Sequence, residues 1–136
     1  MFENFKKINL TVGLATITLS ANGLSFSKTS VSKLGHATRV NILLNEEEKQ
    51  LAIQACADDD TDGTPFAKNK SAQFVRWNNR DFIKTISKLM GVDLDANKTN
   101  NYKIEGEYFS KENALLFKLD EFVVSEKKDA DNSEDE

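Results

Sequence analysis

Apolar and polar side chains alternate unevenly near the start of the chain, in the manner of strands. Residues 8–19 are rich in Ile, Val, Leu and Thr, which suit a pleated, half-buried surface. Gly13 interrupts the run and marks a bulge or a bend between two short strands. Ala21-Asn22-Gly23 follows, and Asn-Gly between two such runs is a strong hairpin signal, with residues 24–27 as the returning strand. Thr29 or Ser30 caps a short helix over about residues 29–35, which Gly35 ends in a left-handed conformation. Residues 39–44 and 50–56 make a second hairpin across the polar turn 45–49.

The second half begins with an acidic loop, residues 58–63, and Pro65 prevents a regular continuation. Residues 74–77 read as a short strand, after which Asn78 or Asn79 caps a longer amphipathic helix over about residues 79–90. Phe82, Ile83, Ile86, Leu89 and Met90 fall on one face of that helix. Asp81 in its first turn and Lys84 and Lys88 further along suit the helix dipole, and Gly91 stops it. Residues 102–108 and 114–124 form a last hairpin across residues 110–113. The pattern predicts one α+β domain over residues 1–125, a mainly antiparallel sheet of hairpins with one short and one longer helix.

Charge divides the chain differently. Its 136 residues carry 18 Lys and Arg against 22 Asp and Glu, a net charge of −4. Residues 126–136 hold six acids and two lysines and so account for all of it, leaving a neutral body. That segment has no apolar side chain larger than Ala130 and is expected to be a disordered acidic tail. No run approaches 18 apolar residues, which argues against a membrane-spanning helix. The first twelve residues lack the uninterrupted apolar core of a secretory signal. The expected location is the cytoplasm, of a bacterium or of an infected host cell.

Candidate chemistry is sparse. One cysteine, Cys56, and one histidine, His36, permit neither a disulfide within the chain nor a zinc site of Cys and His ligands. His36 has no partner at a telling spacing and reads as a surface or capping residue. Cys56 ends an apolar strand and reads as a small buried hydrophobe. Asp58-Asp59-Asp60-Thr61-Asp62-Gly63 reproduces the opening of a calcium-binding EF-hand loop, but Asn69 stands where the closing Glu belongs and Pro65 intrudes. A solvated acidic turn is the better reading. No phosphate-cradling glycine loop or nucleophile motif occurs, and the expectation is a non-catalytic protein with no cofactor and no metal. Arg76-Trp77-Asn78-Asn79-Arg80 sets two guanidinium groups beside an indole and two amides, the types that meet phosphates, stack on bases and bond base edges. A capped helix start with a core Trp and solvated arginines is the better reading of these residues taken alone.

Residues 17–56 resemble the AbrB-like, swapped-hairpin transcription factors of bacteria. Gly23-Leu24-Ser25-Phe26-Ser27-Lys28 is similar to that family's strand ending in Pro-Lys, with Ser27 in place of Pro. Val31-Ser32-Lys33-Leu34-Gly35 is similar to its short helix, and residues 40–55 to its closing hairpin, although His36-Ala37-Thr38-Arg39 lacks the usual Gly-Asp. The resemblance implies a homodimer with Lys28 and Lys33 on DNA. Arg39 lies nearby, and Arg76, Trp77 and Arg80 add a second basic patch. The chain also has the look of a small bacteriophage early-region protein. Two functions follow as expectations: a phage or bacterial DNA-binding regulator, or a phage-encoded inhibitor whose acidic surface docks on a host enzyme that handles nucleic acid. Ordering the tail would cost about 1–2 kcal/mol per residue with no burial to offset it. Deleting residues 126–136 is therefore expected to leave the thermal midpoint nearly unchanged, measured by circular dichroism. A drop of several degrees would show that the tail docks on the body.

Overall fold

The computed structural model describes residues 14–68 and 74–126. Residues 8–13, Asn69 and residues 127–136 lie outside them, so the first expected strand, the bulge at Gly13 and the expected tail are not described, except for Glu126, which ends the last strand opposite Asn100 instead of starting a disordered tail. In chain order the elements are β1 (Thr16–Ser20), β2 (Gly23–Phe26), α1 (Lys28–Lys33), β3 (Arg39–Asn45), β4 (Gln50–Ala55) and β5 (Thr64–Pro65). There follow β6 (Val75–Trp77), α2 (Arg80–Met90), β7 (Asn100–Phe109), β8 (Ala114–Lys118) and β9 (Val123–Glu126). The fold is α+β, and the described residues form two helices and one curled antiparallel sheet ordered β5-β3-β4-β8-β7-β1-β2-β6, with β9 pairing β7 off this path.

The ten-residue β7 organises this sheet. Its first half pairs with β1 on one side, Ile17 opposite Ile104, and with β9 on the other, Tyr102 opposite Val124. Its second half pairs with β8, Gly106 opposite Phe117. Gly106 is the crossing point. A methyl group there would stand 2.5 Å from the Phe117 ring, so only glycine lets that ring lie on the backbone. The buried faces of β1 and β2 (Ile17, Leu19, Leu24, Phe26) and of β4 and β8 (Leu51, Ile53, Leu115, Phe117) then share one core. Burial of this apolar surface is what stabilises the curl.

The β1–β2 hairpin turns through Ala21 and Asn22, with Ser20 opposite Gly23. Gly23 has φ of 138°, and a Cβ there would lie 2.6 Å from the Trp77 carbonyl oxygen, so it serves both the turn and the approach of β6. Ser27, not Thr29 or Ser30, caps α1. Its Oγ accepts from the Ser30 N–H at 3.1 Å and the Thr16 N–H at 3.0 Å, while Ser30 Oγ donates to the Thr16 carbonyl at 2.9 Å. Thr29 and Ser30 are buried, which places the cap one turn earlier than their side chains suggest. His36 has φ of 55° and its N–H donates to the Val31 carbonyl at 2.9 Å, a capping arrangement after α1.

Asn79 caps α2, its Oδ1 accepting from the Phe82 N–H at 2.9 Å, and Gly91 ends it in the left-handed region. Ile83, Ile86 and Met90 are buried and Phe82 and Leu89 partly so, which centres the stripe on Ile86. Pro65 is the last residue of β5, a two-residue edge strand where a missing N–H is tolerated, and regular structure stops there as expected. One expectation needs correction. Residues 114–124 are not one strand but β8 and β9, because buried Leu119 leaves the β7 edge and its N–H donates to the Lys49 carbonyl at 2.9 Å.

Gly106→Ala is expected to destabilise the fold by about 1–3 kcal/mol, the usual cost of forcing extra volume into a packed core. Urea unfolding measures this. Adding Phe117→Leu should recover part of the loss, since the smaller side chain can withdraw from the new methyl.

Candidate nucleic-acid interface

The residues read from the sequence as DNA contacts lie on α1, at the start of β3, on β6 and at the start of α2. Lys28 and Lys33 are exposed on α1. Lys33 Nζ sits 5.5 Å from the centre of the Tyr108 ring. Tyr108 pairs with buried Leu115 and so lies on the inward side of β7, away from the outer face of the sheet. Arg39 is half-buried, and its Nη1 donates to the Gly63 carbonyl at 2.8 Å, which commits part of its guanidinium to holding the acidic loop. Arg76 and Arg80 are exposed on β6 and at the start of α2.

The Arg76–Arg80 group divides into structural and free members. Trp77 packs edge-on against Phe26, Phe66 and Phe82, with ring centres 4.9, 6.1 and 5.7 Å away. Its Nε1–H donates to the Pro65 carbonyl at 3.2 Å. The indole thus links β6 to β5, the two ends of the strand order, and both its edge and its N–H are engaged. Asn79 is the helix cap. Arg76, Asn78 and Arg80 remain exposed.

Cross-strand register gives Arg76 neighbours that sequence order conceals. Arg76 lies opposite Ser25, Ser25 opposite Thr18, and Thr18 opposite Lys103. In each strand the adjacent residues are inward: Leu24 and Phe26, Ile17 and Leu19, Tyr102 and Ile104. The row Arg76–Ser25–Thr18–Lys103 therefore stands on the outer face, with a cation at each end about 14 Å apart at the ordinary strand spacing. Phe74 extends it. Its ring is 60% exposed and the Arg76 guanidinium lies 5.6 Å from its centre. Glu105, opposite Thr16, bounds the row on β7, and Glu107 and Glu121 line the same shallow concavity as Lys103. Lys103, Thr18, Ser25 and Phe74 were not among the residues read as contacts. The two-residue period of β7 marks Lys103 as outward, but only strand order brings it to Arg76.

The acidic loop is ordered by its own contacts. Thr38 Oγ1 donates to Asp58 Oδ1 at 2.7 Å, and Asp60 Oδ1 accepts from the Asp62 N–H at 3.0 Å. Gly63 is packed so closely that a Cβ would stand 2.7 Å from Cys56 Sγ. Among the described residues no three His, Cys, Asp or Glu side chains converge as a metal site. Desolvation raises the Cys56 pKa above that of a free thiol, Asp60 and Asp58 push it the same way, and Arg39 opposes them.

No family model, curated protein or solved structure matches this chain. Among the described residues no helix is long and apolar enough to cross a membrane.

Because a raised pKa leaves less thiolate at a given pH, Cys56 is expected to alkylate more slowly at pH 8 than an unfolded chain in urea. Asp60→Asn should raise the folded-state rate without bringing it to that of the unfolded chain, because desolvation, the larger cause, remains. Iodoacetamide labelling followed by mass spectrometry measures both.

Proposed function

We propose that this protein is a non-catalytic, DNA-binding regulatory protein of the bacterial or phage-infected cytoplasm, and that it binds through the outer face of β6, β2, β1 and β7. The observation that carries this reading is the row Arg76–Ser25–Thr18–Lys103 with Phe74 at its end. Arg76 and Lys103 meet phosphates, the two hydroxyl side chains between them bond phosphate or sugar oxygens, and Phe74 offers a ring for an unpaired base. Arg80 extends the cationic surface from the first turn of α2. Lys28 and Lys33, exposed on α1, contribute through long-range attraction. The neutral body and acidic tail keep nonspecific affinity low, since affinity for the backbone scales with the phosphates neutralised.

A second reading rests on the exposed acids Asp58, Asp59 and Asp62, whose loop is already ordered by Thr38 and Arg39. An ordered acidic surface suits a basic groove on a host enzyme.

Fluorescence anisotropy with labelled single-stranded and duplex oligonucleotides distinguishes the two. Two cations neutralising two phosphates should give a log K against log salt slope of about −1.4 for single strands and about −1.8 for duplex. Arg76→Glu and Lys103→Glu should each abolish binding at moderate salt, Lys33→Glu should weaken it only slightly, and Phe74→Ala should lose chiefly the single strand. Absence of binding to either at low salt, with the tail deleted, would overturn the proposal. Retention of a host enzyme from lysate, lost in the Asp58→Asn, Asp59→Asn, Asp62→Asn variant, would support the second reading.

A further inference from the structure

Among the described residues the outer edge of β3 is covered only at its start. Thr64 and Pro65 pair with Val40 and Arg39, and among the described residues no strand lies beside Asn41–Asn45 on that side. Backbone groups of successive strand residues point to opposite edges. The Arg39 carbonyl accepts from Cys56 on the β4 side, while the Thr38 carbonyl accepts from Phe66 on the β5 side. Even-numbered residues of β3 therefore face the open edge, and the N–H and C=O groups of Ile42 and Leu44 are directed there without a strand partner among the described residues. Sheet edges are commonly guarded by a charge, a proline or a bulge. The segment Asn41-Ile42-Leu43-Leu44-Asn45 has no charge and no proline, and its ladder with β4 is regular from Val40 to Asn45.

The segment is also its own complement. We infer that the β3 edge is a self-association site, at which a second copy of this chain adds antiparallel through a two-fold axis at Leu43. In that register Ile42 of each copy faces Leu44 of the other, and the four edge-directed groups of each chain are all satisfied. Asn41 faces Asn45. Leu43 meets its own counterpart in a non-hydrogen-bonded pair, where side chains approach most closely. Leu43 stands on the outer face of the sheet and is 49% exposed, so it has apolar surface to bury. The lengths agree as well: the β3–β4 turn begins at Glu46, which ends each strand before it reaches the partner's β5.

A contact of five residues a side is small beside the roughly 20–30 of a stable interface. The dimer is therefore weak and reversible. It also brings the acidic turn Glu46, Glu47, Glu48 of each copy toward the Asp58–Asp62 loop of the other, so salt should strengthen it. The inference is independent of nucleic-acid binding, and neither stands or falls with the other.

Sedimentation equilibrium of the full chain at rising concentration and salt is the test. The expected result is a monomer–dimer equilibrium that shifts toward dimer with salt. Leu43→Lys should weaken it roughly tenfold or more by placing like charges opposite each other, with an unchanged circular dichroism spectrum. Val123→Lys, at another exposed strand position, should leave it unchanged. Mixing Leu43→Lys with Leu43→Glu should restore a one-to-one dimer that neither forms alone, an outcome particular to self-pairing at this residue. A monomer up to the solubility limit, or a dimer that survives Leu43→Lys, would overturn the inference.

Discussion

The contact of the Phe117 ring with the bare backbone of Gly106 is the constraint on which the rest of this fold depends. A strand of ten residues could continue one flat sheet, with its inward side chains needing cover from elsewhere. Here β7 hands over from β1 and β9 to β8 at Gly106, and the ring of Phe117 fills the space that a side chain would take. The halves on either side then bury their apolar faces in a common core. Phe117, Leu115, Ile104 and Ile17 are all fully buried around this crossing.

Two smaller devices hold the curl at its margins. The first is polar: Ser27 and Ser30 exchange hydrogen bonds with both backbone groups of Thr16, so the turn into α1 is tied to β1. Buried hydroxyls are costly unless partnered, and these are partnered within the knot. The second is aromatic. Trp77 on β6 reaches Pro65 on β5 with its N–H and sits among Phe26, Phe66 and Phe82. It joins the two ends of the strand order through a side chain, where backbone pairing is not seen among the described residues.

These commitments decide which surfaces are free to act. Trp77, Asn79 and part of Arg39 are occupied in holding the fold, which removes them from the simplest version of a basic recognition patch. Arg76 and Lys103, more than two dozen residues apart in the chain, gain a shared face instead. The same logic leaves β3 beyond Val40 with no outer strand partner among the described residues, because β5 is only two residues long and covers only the first two residues of its neighbour. In this chain β1 and β4 find their further neighbours in β7 and β8, supplied by residues 100–118.

Much of the secondary structure is local and was legible. Period-two alternation marks β1 to β4 and β7, Ala21-Asn22-Gly23 marks the first hairpin, and the Ile83–Ile86–Met90 stripe with Asn79 and Gly91 marks α2, because each depends on residues a few positions apart. The break at Leu119 was not legible: an apolar residue in an apolar run carries no sign that it will leave its strand for another part of the core. Nor was the partner of Arg76. By itself the sequence determined the types and approximate limits of most elements, the neutral body with its acidic tail, and which side chains of each strand share a face. Only the tertiary structure decided which faces lie together, that Trp77 is spent on packing, and that Lys103 stands in line with Arg76. Those outcomes depend on strand order, and strand order is set by long-range burial that no local pattern encodes.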